Sequence, residues 1–127
     1  MKYLLDTAVW LWSVGPTERL SKKARELLAS GEEELYLSVA SSWEISIKAA
    51  LGKLKLPEPP DRYVPKRLAE QGILPLPILQ SHALGVFTLP PHHQDPFDRM
   101  LISQALVEGM CIVTSDRAFA DYPVEIF

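Results

Sequence analysis

The chain has 127 residues, with 47% hydrophobic and 23% charged side chains and a formal net charge of −3. That length fits one domain over 1–127 with a core that needs no disulfide, and the lone Cys111 excludes an internal one. The slightly acidic balance excludes a protein that coats nucleic acid by bulk charge, though not an enzyme with a local basic rim. A basic stretch holds Lys48, Lys53, Lys55, Arg62, Lys66 and Arg67 against Glu58 and Asp61; by itself it reads as a solvated helical face.

Tyr3-Leu4-Leu5 opens as a strand. Asp6 meets the chain before any secretory apolar segment can form, and it starts a short helix through Trp10 and Trp12 that stops at Gly15-Pro16. Ser21 caps a second helix running to about Ser30 and closed by Gly31. Leu35 to Val39 forms the second strand. Ser41 to Leu51 is a helix, with Trp43, Ile47 and Ala50 at helical spacing on one face. Gly52 and Pro57-Glu58-Pro59-Pro60 break the chain before a further helix over Asp61 to about Gln71.

Residues 71–94 carry no formal charge, but Pro75, Pro77, Pro90 and Pro91 suit a membrane span poorly. They read as a buried strand, a short helix and a loop. Ile73 to Leu79 is the strand, and its prolines demote it to an edge. Gly85 to Gln94 is the loop. Asp95-Pro96 starts a helix, with an acid at the cap and Pro in the first position, that ends at Gly109. Cys111-Ile112-Val113 is a strand, Asp116 starts a helical turn, and Val124 to Phe127 is a last strand. Strands separated by helices imply a mostly parallel sheet in a three-layer α/β/α sandwich.

Ligands of such sheets bind beyond the carboxyl ends of the strands. Asp6 and Asp116 fall at such ends, and Glu44 and Asp98 lie in first turns of helices that follow a strand or a loop. Each acid also has a local explanation. Asp6 and Asp116 can cap helices, Ser41-Ser42-Trp43-Glu44 fits a capping box, Glu44 can pair with Lys48, and Asp98 sits behind the cap Asp95. Caps alone do not require four acids at one sheet end. Two carboxylates about 4 Å apart repel by about 4 kcal/mol at an effective dielectric near 20, so convergence calls for raised pKa values or a cation. An all-oxygen donor set suits Mg²⁺ or Mn²⁺ rather than zinc.

Four segments taken together resemble the PIN-domain family: LLDT (Leu4 to Thr7), SSWEISIK (Ser41 to Lys48), HHQDPFDRMLISQA (His92 to Ala105) and VTSDRAF (Val113 to Phe119). The nearest group is the VapC-type toxins of toxin–antitoxin pairs. The resemblance implies a Mg²⁺- or Mn²⁺-dependent endoribonuclease, usually a homodimer, held inactive by a small antitoxin protein, and the single cysteine suits a reducing cytoplasm. It carries metal-ligand and catalytic roles onto Asp6, Glu44, Asp98 and Asp116, and auxiliary roles onto Thr7, Ser115 and Asp95. Asp95 reads first as a helix cap. Arg99 and Arg117 either contact phosphate or pair with neighbouring acids.

Among the remaining features, His92 and His93 read as loop residues rather than metal ligands, and His82 as a helix-surface residue. Cys111 reads as inert core. Trp10, Trp12 and Trp43 read as core and interface packing, with Trp10 and Trp12 as apolar surplus for self-association. Two rival functions remain. A phosphoacceptor switch would show paired acids after the first strand and a late lysine, where this chain has Thr7 and Ser115-Asp116. A non-catalytic PIN-like binding module would keep the fold and only pair with a partner.

Overall fold

A computed structural model describes residues 1–127. Strands β1 (Lys2–Leu5), β2 (Glu34–Ser38), β3 (Leu74–Leu76) and β4 (Cys111–Val113) form one sheet, in the order β3-β2-β1-β4 with every pair parallel. Helices α1 (Thr7–Ser13), α2 (Lys22–Ser30), α3 (Val39–Ala50), α4 (Pro60–Gln71), α5 (Gln80–Gly85) and α6 (Pro96–Glu108) occupy the connections.

Strand alternation divides the core in two. Tyr3, Leu5, Leu35, Leu37, Cys111 and Val113 face one layer, where Val9 and Trp10 of α1, Ala24 and Leu27 of α2, Ile45 of α3 and Val64 and Leu68 of α4 cover them. Leu4, Leu76 and Ile112 face the other layer, against Leu101, Ile102 and Ala105 of α6 and against Phe119 and Tyr122. This is the expected three-layer α/β/α sandwich. Register is uniform across its centre, with Tyr3 opposite Leu35 and Cys111, and Leu5 opposite Leu37 and Val113.

Several boundaries differ from expectation. Val39 is the first residue of α3 rather than the last of β2, and the cap is Ser38, whose hydroxyl accepts from the Ala40 amide. The Ser41–Glu44 capping box is therefore absent, and Glu44 sits in the second turn. β3 is shorter than Ile73 to Leu79 but lies at the sheet edge, as its prolines require. The last strand shrinks to a single bridge between Ile112 and Ile126.

The tryptophans separate. Trp10 is fully buried, its indole donating to Gln71 Oε1 at 2.9 Å, so it is core rather than surplus. Trp43 is 60% exposed. His82 is fully buried instead of lying on a helix surface: its Nδ1 accepts the Leu79 amide, which leaves Nε2 to donate to Glu108 at 2.7 Å. Cys111 is buried as expected, and burial pushes its thiol pKa up. No helix is long and apolar enough to cross a membrane.

Candidate metal centre

β2 and β4 lie on opposite sides of β1, so connections leave the carboxyl ends of β1 and β4 in opposite directions. A crevice forms where a parallel sheet reverses its winding in this way. Asp6 is the first residue past β1. Its amide still donates to Val113 O at 3.0 Å, extending the ladder by one residue before α1 begins. The constant offset between the strands then brings Thr114 beside Asp6, and the Thr114 hydroxyl donates to Asp6 Oδ2 at 2.8 Å. The same hydroxyl accepts the Asp116 amide at 3.0 Å. Asp6 occupies the cap position of α1 but makes no side-chain cap bond.

α3 follows β2 without a loop. The Thr7 hydroxyl donates to Ser41 Oγ at 2.7 Å and fixes α1 against α3, which aims the buried Glu44 at the crevice. Lys48, one turn on, donates to Glu44 Oε2 at 2.7 Å, the expected i+4 pair. α6 contributes Asp98 from its first turn. Asp95 is the cap expected of it, its Oδ1 accepting the Phe97 and Asp98 amides. Asp116 caps the short turn Arg117–Asp121 through the Ala118 amide.

All four acids, with Thr7, Asp95, Ser115 and Lys48, line one cavity of about 250 Å³. Asp98 registers the convergence most strongly. Burial and then the charges of Asp95, Asp6, Glu44 and Asp116 raise its pKa to about 7. Burial also raises Asp6; the Thr114 hydroxyl and the Thr7 and Ala8 amides oppose that shift, and Glu44 adds to it. Lys48 is the only cation lining the cavity, against five carboxylates. A hard divalent cation matches this donor set, because a single lysine, paired with Glu44, offsets only part of the repulsion among five carboxylates.

The arginines depart from both alternatives in the case of Arg99. Its guanidinium donates to the carbonyls of Val86, Pro90 and His93 and to the Tyr122 hydroxyl, so it neither pairs with an acid nor faces the cavity. Its work is to tie the segment before α6 to the helix. Arg117 is exposed at the start of its turn.

Three participants were not found from sequence. Thr114 was passed over for Ser115 because strand register was unknown. Lys48 was read only as a helix-pair partner. His93 was read as a loop residue, but its Nε2 stands 3.5 Å from Asp98 Oδ2 and 3.8 Å from Asp116 Oδ2.

A single parallel sheet with acids gathered at its winding reversal defines a class of α/β proteins with an anionic centre. The profile of PIN domains matches residues 3–125, and the chain belongs to the PIN-domain family. The chain is 40% identical over 60 residues to Ribonuclease VapC16 of Mycobacterium tuberculosis, a match covering 47% of this chain and 43% of that relative. Solved structures share the fold. VapBC2 from Rickettsia felis bound to a promoter DNA fragment superposes with a TM-score of 0.73 at 17% identity, covering 99% of this chain and 96% of that one. FitAcB from Neisseria gonorrhoeae gives 0.68 at 21% identity, with 98% and 96% coverage.

Proposed function

We propose that this protein is a divalent-metal-dependent endoribonuclease that hydrolyses RNA phosphodiester bonds and serves as the toxin of a type II toxin–antitoxin pair. The observation that carries this reading is the crowding of Asp6, Glu44, Asp98 and Asp116 around one cavity, where burial first and the neighbouring carboxylates second raise Asp98 to about 7. The family and a relative named a ribonuclease support it. A fold neighbour described as a toxin–antitoxin complex, from Klebsiella pneumoniae, supports an antitoxin protein as partner. A homodimer acting in the cytoplasm completes the reading.

Asp6, Glu44, Asp98 and Asp116 would hold Mg²⁺ or Mn²⁺. When bound, such an ion offsets phosphate charge and acidifies a coordinated water. The chain's own residues set the stage for this. Thr114 orients Asp6 by its hydroxyl, and Lys48 holds Glu44 in one rotamer while leaving Oε1 free of that pair. Without the ion Asp98 titrates at about 7, so taking up the ion would displace a proton from it near neutral pH. Ser115 lines the cavity, and Arg117, exposed next to Asp116 in the chain, is the arginine left to contact a phosphate.

The test is cleavage of structured RNAs with Mn²⁺, with EDTA, and by Asp6→Asn. Cleavage should require the metal and fall at least about 100-fold in the variant, equivalent to about 2.7 kcal/mol of transition-state stabilisation. A purely binding PIN module would bind its partner yet cut no RNA in any metal. A phosphoacceptor switch would instead take phosphoryl groups from a small donor.

A further inference from the structure

The geometry points to His93 as a nitrogen ligand that, with Asp98 and Asp116, makes a mixed nitrogen–oxygen position favouring Mn²⁺ over Mg²⁺. This rests on reading the acidic cavity as a metal centre, and adds to it a donor of a different chemical kind.

His93 Nε2 is sealed from solvent and has no hydrogen-bond partner, although two carboxylates lie close to it. A buried imidazole nitrogen left unpaired is costly, and an ion shared with Asp98 and Asp116 would satisfy it. The donor atoms of His93, Asp98 and Asp116 all lie within 4.8 Å of one another. An ion with bonds of about 2.1 Å sets neighbouring donors about 3.0 Å apart when octahedral and about 3.4 Å apart when tetrahedral. The observed 3.5 and 3.8 Å separations exceed a good hydrogen bond and lie about 0.5 and about 0.8 Å above the octahedral spacing, a gap that side-chain rotation can close on a shared ion.

The ring is also held in place. The His93 carbonyl accepts from Arg99 Nη1 at 3.3 Å, and the imidazole packs edge-on to the fully buried Phe119 with centroids 6.0 Å apart. Pre-set ligands of this kind distinguish a built position from a chance approach. Imidazole is a ligand of first-row transition ions, and of these Mn²⁺ is the one that an oxygen-rich site also takes, whereas Mg²⁺ keeps oxygen ligands and water. Asp98 also lines the cavity with Asp6 and Glu44, so it can serve both the all-oxygen side and the histidine side.

Pulsed electron paramagnetic resonance on the full chain with Mn²⁺, without RNA, tests this. The wild type should show ¹⁴N coupling to the ion, retained in His92→Gln and lost in His93→Gln. Calorimetric titration of His93→Gln should give Mn²⁺ affinity lowered at least about tenfold and Mg²⁺ affinity within about twofold of wild type. If His93→Gln does not fold, ¹⁵N-histidine labelling of His92→Gln replaces it. Both His82 ring nitrogens are already engaged, so conversion of the coupling to a ¹⁵N pattern assigns His93. Mn²⁺ binding without nitrogen coupling, or equal losses for both ions, overturns the histidine ligand alone. Failure of the wild type to bind Mn²⁺ removes the metal centre along with it.

Discussion

Asp98 carries a carboxyl that titrates near 7 because burial and four neighbouring carboxylates all disfavour its charge. In the unfolded chain an aspartate titrates near about 3.9. Between those values the folded state binds the extra proton, so metal-free protein loses stability as pH rises from about 4 to about 7, and the loss is complete above that. Asp6 shifts in the same direction and adds to the trend. Thermal melts in EDTA should therefore give a lower Tm at pH 8 than at pH 5, with a smaller difference in Asp98→Asn. Mg²⁺ or Mn²⁺ should raise Tm more at pH 8 than at pH 5, since the ion binds the deprotonated ligands. An identical pH response in wild type and Asp98→Asn would show that Asp98 is not the group responsible. The four acids were legible in the sequence because each stands near the point where a strand or loop passes into a helix. Thr114 and His93 were not, because one depends on a register between strands 108 residues apart and the other on where a proline-bounded loop folds back.

Among the elements, boundaries were harder to read than identities. Val39 is β-branched and follows an apolar run, so local propensity assigned it to β2, whereas the Ser38 cap starts α3 there. The α5–α6 crossing was invisible for a related reason, since its decisive residue is a glycine in an uncharged stretch. A Cβ on Gly85 would lie 2.6 Å from Ser103 Oγ. That hydroxyl cannot swing away freely, because it donates to His82 O at 2.6 Å in a buried site. Gly85→Ala should cost about 1–3 kcal/mol in urea denaturation. Pairing it with Ser103→Ala should recover part of that loss, giving a non-additive cycle. An additive cycle would mean that Ser103 is not the residue Gly85 accommodates.

At the scale of the molecule, alternating apolar runs and helices sufficed to predict a parallel α/β/α sandwich, and the acids at strand ends sufficed to place the crevice. Periodicity reports which residues share a side of a helix and not what covers that side. Trp43, Ile47 and Ala50 were grouped correctly, but the buried face of α3 is Ala40, Ser41, Glu44 and Ile45. Val39, Trp43, Ile47 and Leu51 instead recur every four residues as an exposed ridge, and Trp43 reaches Phe97 of α6 edge-on at 5.2 Å. A ridge of this composition beside the acidic crevice fits the homodimer of the proposed function, with a second copy as its occupant. Placing a charge at its centre should then separate the copies. Trp43→Glu, or Ile47→Glu as a second probe, should weaken self-association by at least about thirtyfold, the equivalent of about 2 kcal/mol at an interface hot spot. Sedimentation equilibrium across a concentration series measures this directly. Dimers of undiminished affinity in both variants would place the contact on another face, and a wild type that stays monomeric at high concentration would remove the homodimer from the proposal.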